Sequence, residues 1–130
     1  MHYSLLVLAP PGPTSYTALH FARAVCAGGH RLERVFFLDA GVANGLATAV
    51  PPQGERDLTA LWRELAGEHG VELVLCISSA IRRGLLDATE ARRHERSAVT
   101  VDPAFTLGGL GLLVEATLNT DRLLTFGGPG

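Results

Sequence analysis

The sequence predicts a single α/β domain in three layers, with a mainly parallel sheet of about five strands between helices on both faces. Short apolar segments alternate with segments of helical periodicity along the chain, which is typical of β-α-β units. The strand-like segments are apolar at consecutive positions, as in residues 35–38, and not at every second position. Such runs are expected where helices cover both faces of a parallel sheet. With 130 residues, of which 47% are hydrophobic, the chain is long enough for one compact core, and a second domain is not expected.

The first half of the chain predicts a β-α-β unit, a long loop and a second amphipathic helix. The first strand ends at residues 10–13 because proline cannot donate to a sheet ladder. The loop is rich in Gly, Ala and Pro and leaves the carboxyl end of the second strand, where long loops commonly serve a site. The elements are a strand at residues 3–9, a helix capped by Thr14 or Ser15 and ended by residues 28–29, a strand at residues 32–38, a loop at residues 39–54, and a helix from Glu55 to Gly67 or Gly70.

The second half predicts three short strands separated by helices. Gly108, Gly109 and Gly111 near the start of one helix indicate close backbone approach, and they do not complete a dinucleotide-binding G-x-G-x-x-G loop. The elements are a strand at residues 71–75, a short helix capped by Ser78 or Ser79 and closed by Gly84, a polar surface helix from a capping box at residues 87–90 to about Glu95, a short strand at residues 99–101, a helix at residues 107–119, a strand at residues 122–126, and a frayed tail at residues 127–130.

Composition and charge exclude several classes of function. A net charge of -2 gives no electrostatic footprint for nucleic acid. The apolar run at residues 5–9 is too short for a membrane span or a signal peptide, so a cytoplasmic protein with reduced thiols is expected. Cys26 and Cys76 are far apart and in no CxxC arrangement, which predicts neither a disulfide framework nor a zinc site. The histidines are scattered, so no metal or other cofactor is expected.

Cys76 is the residue to which the sequence assigns chemistry. It follows a buried strand and precedes a short helix that begins near Ser78 and Ser79. Unpaired amides and the dipole at a helix N-terminus favour a thiolate, and a nearby guanidinium would add to the effect. A free cysteine at the end of an apolar strand is also a common small core residue, and the residues alone leave both interpretations open.

Arg82 and Arg83 also allow two interpretations. Cys76 and Arg82 satisfy C-x5-R, the loop by which cysteine phosphatases cradle phosphate, but the five intervening residues lack glycine and favour a helix. Arginines in the last turn before Gly84 also stabilise a helix C-terminus without any catalytic role.

Three segments of the chain resemble the TusD/DsrE family, and motif order agrees along nearly the whole length. The segments are Val35-Phe36-Phe37 with Asp39-Ala40-Gly41-Val42-Ala43-Asn44, then Cys76 through Arg82-Arg83-Gly84, then Phe105-Thr106-Leu107-Gly108-Gly109-Leu110-Gly111 with Glu115-Ala116. The resemblance implies a sulfurtransferase subunit that carries sulfur as a persulfide on Cys76. Ser78, Ser79, Arg82 and Arg83 are secondary candidates for the site.

The resemblance also implies partners and pathways. It implies a heterohexamer in which this subunit, a TusC/DsrF-like subunit and a TusB/DsrH-like subunit each occur twice. Sulfur would arrive from a TusA-like donor and leave for a TusE/DsrC-like acceptor, in tRNA wobble-uridine thiolation or in sulfur oxidation.

The sequence leaves two hypotheses for the role of Cys76 and predicts where the site lies. Either Cys76 is a partly exposed, activated thiol that relays sulfur, or the chain is a structural subunit whose Cys76 is buried and inert. In a parallel sheet the site lies outside the carboxyl ends of the strands. Residues 10–13, the loop at residues 39–54 and Cys76 are therefore expected to converge there.

Overall fold

The sheet has five strands, all parallel to their neighbours. The computed structural model describes residues 1–128. In chain order the strands are β1 (His2–Val7), β2 (Arg31–Phe37), β3 (Glu72–Cys76), β4 (Phe105–Gly108) and β5 (Arg122–Phe126). Across the sheet they run β4-β3-β2-β1-β5. The α/β class and the five-stranded parallel sheet predicted from the sequence are confirmed.

Helices cover both faces of this sheet. They are α1 (Pro13–Ala27), a 3₁₀ helix (Asp39–Gly45), α2 (Leu58–His69), α3 (Ile77–Arg82), α4 (Ala88–Arg93) and α5 (Leu110–Asn119). Helices α1 and α2 contact each other and the sheet, and α5 contacts β1, β2 and β5. The chain crosses the sheet in one direction from β1 to β4 and returns in the other to β5. Right-handed crossovers therefore place α5 on the face opposite α1 and α2.

The core between α2 and the sheet is centred on Trp62. Its side chain is fully buried and packs edge-on against Phe37, with 5.3 Å between ring centroids. The predicted apolar face of α2 is buried, but the helix begins at Leu58, after the expected Glu55. Asp57 sets this start because its carboxylate accepts a hydrogen bond from the amide of Ala60. Gly70 ends the helix in the left-handed conformation.

The predictions for residues 99–109 are wrong in two places. The strand predicted at residues 99–101 is only an isolated bridge between Val101 and Leu46. The helix predicted from residue 107 starts at Leu110, because the preceding residues form β4. Asp102 directs the chain into β4, since its side chain accepts from the amide of Ala104. Four residues ending in glycine give too little apolar pattern to predict a strand.

Three further predictions need correction. Residues 39–45 of the predicted loop form the 3₁₀ helix. The capping box of α4 is half formed: Asp87 accepts from the amide of Glu90, but the buried Glu90 carboxylate pairs with Arg93 and His94 instead. Helix α4 ends at Arg93, and it is not wholly a surface helix because Glu90 and Ala91 are buried. In the predicted frayed tail, Gly127 packs against Ala9, while residues 129–130 lie outside the described residues.

Helix α5 carries an exposed apolar stripe. Leu110, Val114 and Leu118 are 55%, 56% and 78% exposed, and their spacing of four residues places them on one helix face. Ala116 is the buried residue of the helix. Within residues 1–128, no helix combines the length and the apolar character needed to cross a bilayer.

Candidate active site

Cys76 is the last residue of β3 and lies at the carboxyl edge of the sheet. Its register partner is Gly108, the last residue of the neighbouring strand β4. The next residue, Ile77, begins α3, so Cys76 occupies the N-cap position of that helix. The predicted location of Cys76 between a strand and a helix is therefore confirmed. Cys76 holds the N-cap position that Ser78 or Ser79 was expected to hold, and its side chain makes no capping hydrogen bond.

The surroundings of Cys76 favour its thiolate. Its Sγ lies 3.4 Å from the hydroxyl oxygen of Ser78. Burial alone would raise the pKa of the Cys76 thiol, but the hydroxyls and backbone amides of Ser78 and Ser79 outweigh burial and hold that pKa below its usual value. These amides are the second and third of α3, which point toward the N-cap side chain of a helix. The sulfur thus stands where a capping oxygen would.

The second cysteine provides an internal comparison. Cys26, near the end of α1, is half-buried, and burial raises the pKa of its thiol. The two thiols therefore shift in opposite directions, and the difference lies in the donors that Ser78 and Ser79 supply to Cys76. An inert core cysteine would resemble Cys26.

We expect this difference to appear in a spectrophotometric thiolate titration. In a Cys26→Ser variant the remaining thiol should ionise below the pH at which a cysteine in a model peptide does. In a Cys76→Ser variant the remaining thiol should ionise above that pH, because Cys26 lacks comparable donors. Equal midpoints in the two variants would contradict this assignment of the thiolate environment.

The expected partial exposure of Cys76 is wrong for this chain. The residue is 1% exposed. The 3₁₀ helix (Asp39–Gly45) packs against both α3 and β3, and β4 packs against α3 from the neighbouring strand position. The sequence could not predict this cover, because it comes from residues far from Cys76 in the chain. The pKa of the Cys76 thiol is lowered, but the side chain is enclosed, so another protein's thiol would reach the sulfur only if this edge opened.

Arg82 and Arg83 do not adjoin the sulfur as the phosphatase interpretation requires. Both are exposed at the far end of α3, and Arg83 donates to the carbonyl of Ser79 at 3.2 Å. Residues 77–82 form a helix, so their amides are not arranged as a loop around an anion. At 1.5 Å per residue, Arg82 is about 9 Å along the axis from Cys76. The C-x5-R interpretation is therefore wrong, and the C-terminal capping interpretation fits Arg83.

A surface cleft also lies at that end of α3, away from Cys76. Its lining includes Ile81, Leu86, His94 and Arg96. Among residues 1–128, no group of three or more His, Cys, Asp and Glu side chains is arranged to hold a metal ion.

The first loop and the 3₁₀ helix meet through Asn44, which sequence reasoning did not single out. Asn44 is fully buried, and its amide donates to the carbonyls of Gly41 at 2.9 Å and Ala9 at 3.1 Å. Ser15 adds a bond from its hydroxyl to the carbonyl of Ala9. The predicted convergence of residues 10–13 with the loop at residues 39–54 is confirmed, because Pro11 and Gly12 line one cleft together with residues 49–52. In the sequence, the one indication of this role is that Asn44 is a polar residue in a segment of Gly, Ala and Val, where a buried polar side chain must form hydrogen bonds.

Comparison with known protein families gives a match over nearly the whole chain. A sequence model described as the DsrE/DsrF-like family matches residues 1–126. The chain belongs to the DsrE/DsrF-like family.

Proteins similar to this chain include curated sequences and a solved structure. The sulfurtransferase TusD homolog of Pseudomonas aeruginosa is 43% identical over 129 residues, covering 98% of each chain. Sulfurtransferase TusD of Salmonella typhi is 42% identical over 128 residues, covering 97% of this chain and all of its own. The crystal structure of the ychN protein from E. coli superposes with a TM-score of 0.73 at 25% identity, covering 97% of this chain and 100% of that one.

In this DsrE/DsrF-like chain, the three segments that carry the family resemblance lie side by side. They belong to β2 with the 3₁₀ helix, to the end of β3 with α3, and to β4 with α5. Because β2, β3 and β4 are neighbours in a parallel sheet, their carboxyl ends meet at one edge. Cys76 lies at the centre of this group.

Proposed function

We propose that this chain is a sulfurtransferase subunit of a sulfur relay and that Cys76 carries sulfur as a persulfide. The observation that carries the proposal is the position of Cys76 at the carboxyl edge of the sheet and at the N-cap of α3, with its Sγ 3.4 Å from the hydroxyl oxygen of Ser78. The lowered pKa of this thiol, in contrast to the raised pKa of Cys26, supports the same role. The names of the relatives, sulfurtransferase TusD and its homolog, support the same class of reaction.

The loading step uses the thiolate as a nucleophile. The Cys76 thiolate attacks the outer sulfur of a donor protein's cysteine persulfide. A sulfur–sulfur bond forms at Cys76 as the donor's own sulfur–sulfur bond breaks, and the donor leaves as a thiolate. The transferred sulfur keeps its oxidation state, so the step requires no metal and no external oxidant or reductant.

The unloading step uses the same thiolate as a leaving group. An acceptor thiolate attacks the outer sulfur of the Cys76 persulfide and releases Cys76. Thiols of lower pKa leave faster in such exchanges. The hydroxyls and amides of Ser78 and Ser79 stabilise the departing thiolate, so they assist delivery of the sulfur as well as its capture.

The partners in this proposal are proteins. We place the chain with TusC/DsrF-like and TusB/DsrH-like subunits in a heterohexamer, between a TusA-like donor and a TusE/DsrC-like acceptor. The exposed stripe of Leu110, Val114 and Leu118 supports a protein partner, because contiguous apolar surface commonly marks an interface. The relay belongs in the cytoplasm, where thiols remain reduced, and serves tRNA thiolation or sulfur oxidation.

A second candidate function is that of a non-catalytic structural subunit of the same kind of complex. The burial of Cys76, at 1% exposure, favours it. The low thiol pKa opposes it, because a structural cysteine in apolar surroundings has a raised pKa.

The two functions are separated by mass spectrometry after incubation with a persulfide-loaded donor protein under non-reducing conditions. The relay predicts one added sulfur atom per chain, located by peptide mapping on the fragment that contains Cys76. The structural role predicts a chain of unchanged mass, both alone and after co-purification with its partner subunits.

A further inference from the structure

We propose that the 3₁₀ helix Asp39–Gly45 orients the hydroxyl of Ser79 toward the sulfur of Cys76, and that Asn44 holds this helix in place. This inference rests on the proposed role of Cys76 as the sulfur-carrying thiol. Asn44 is thereby a positioning residue, which acts through the backbone of Asp39 and the side chain of Ser79.

The hydroxyl of Ser79 connects the 3₁₀ helix to the thiol. Ser79 is 6% exposed and is the third residue of α3, a position that faces the N-cap residue, here Cys76. Its oxygen accepts a hydrogen bond from the backbone amide of Asp39 at 3.1 Å. A hydroxyl whose oxygen already accepts a bond is polarised and keeps its own proton for donation. The Asp39 amide therefore leaves the proton of the Ser79 hydroxyl available for donation. Against the effect of burial, the hydroxyls of Ser78 and Ser79 hold the pKa of the Cys76 thiol below its usual value.

The position of the Asp39 amide depends on a strained turn. Asp39 has a φ of 52°, in the left-handed region that residues other than glycine rarely adopt. Such strain persists only where neighbouring contacts hold it. Those contacts include the bond from the amide of Leu38 to the carbonyl of Val7, at 3.0 Å, and the bond from the amide of Gly41 to Leu38, at 2.9 Å.

Asn44 is the buried anchor of this turn. Its amide group donates to the carbonyl of Gly41 inside the 3₁₀ helix and to that of Ala9 beyond β1. Its side-chain oxygen accepts from Trp62 Nε1 at 3.2 Å, and its backbone carbonyl accepts from the hydroxyl of Thr59 at 2.7 Å. One side chain thus ties the 3₁₀ helix to β1 and α2, and its loss would leave several buried polar groups without partners.

Charged side chains do not account for the lowered pKa of the Cys76 thiol. Asp39 is exposed, and a carboxylate near a thiolate would raise the thiol pKa rather than lower it. Arg82 and Arg83 are exposed at the opposite end of α3. In the described residues, β4 carries no charged side chain, and the one charge of β3, Glu72, lies at its amino end. The 3₁₀ helix therefore acts through its backbone amide.

The test is a spectrophotometric thiolate titration of Cys76 in a Cys26→Ser background, with urea unfolding as a check of folding. Ser79→Ala and Asn44→Ala should each raise the midpoint, and below it the thiolate fraction should fall about three- to tenfold, as expected for one hydrogen bond. The double variant should titrate like Ser79→Ala alone, because both changes remove the same donor. Val25→Ala, which thins the core at the other end of α1, should lower stability and leave the midpoint unchanged.

Thr59→Val is the milder variant, since it removes one hydroxyl bond to Asn44 and should raise the midpoint by less. It decides the question if Asn44→Ala does not fold. The positioning role would be overturned if Asn44→Ala and Thr59→Val both kept the wild-type midpoint. It would also be overturned if the shifts of Ser79→Ala and Asn44→Ala added up in the double variant. Failure of the Cys26→Ser protein to accept sulfur would instead overturn the proposed function, so the two failures are distinguishable.

Discussion

Replacing Cys76 with serine is expected to abolish sulfur loading completely. A hydroxyl oxygen does not form a persulfide, and the other thiol, Cys26, lacks the donors that favour a thiolate. Serine is close to cysteine in size, and the hydroxyl of Ser78 lies near enough to form a hydrogen bond with the new hydroxyl. The fold should therefore be retained. Intact mass after incubation with a persulfide-loaded donor measures the result, as added sulfur per chain.

Cys26→Ser is the matched control for this prediction. It makes the same chemical change at a thiol outside the site and should load sulfur to the wild-type extent. Urea unfolding of both variants verifies that they are folded. Sulfur that remains on the Cys76→Ser chain, or disappears from the Cys26→Ser chain, would show that the relay cysteine is wrongly assigned.

Replacing Gly41 with alanine is expected to cost about 3 kcal/mol or more of unfolding free energy. A Cβ at this position would penetrate the carbonyl oxygen of Val7, lie 2.9 Å from its carbonyl carbon and lie 3.3 Å from the Cα of Leu8. These atoms belong to the backbone at the end of β1, which pairs with β2 and β5 on its two sides, so they cannot move away cheaply. The single tryptophan, Trp62, is buried beside Asn44 and reports the transition by fluorescence during urea unfolding.

Gly67→Ala is the control for this substitution. Gly67 lies inside α2 with open space around the added methyl group, so alanine should stabilise the protein by up to about 1 kcal/mol. Because the two variants make the same chemical change, opposite signs isolate the close approach at Gly41. An unfolding midpoint of Gly41→Ala at or above that of the wild type would contradict the packing described here.

The sequence predicted those parts of the fold that local pattern determines. Continuous apolar runs located β1, β2, β3 and β5, and the order of strand, Cys76 and helix located the thiol at the carboxyl edge. It failed at β4, where the strand ends in Gly108 because the side chains of Leu112 and Val74 fill the space of a Cβ. That constraint is tertiary and leaves no periodicity in the sequence.

In the candidate site, too, the sequence predicted the features that depend on neighbouring residues and missed those that depend on distant ones. The type and location of the thiol were predictable, because they depend on residues adjacent to Cys76. Its burial was not, since the cover comes from the 3₁₀ helix (Asp39–Gly45), which lies more than thirty residues earlier in the chain. Nor were the contacts of Asn44 predictable, because they join segments distant in sequence.

The enclosure of Cys76 has a consequence for the cargo that it would carry. A persulfide exposed to the cell is reduced by small thiols such as glutathione, and its outer sulfur is then lost as hydrogen sulfide. With 1% of Cys76 accessible, such thiols are kept away while the edge is closed. A macromolecular recipient that opens this edge by docking would gain access that a freely diffusing reductant lacks. The residues that enclose Cys76 would then protect the persulfide from reduction between the loading step and the unloading step.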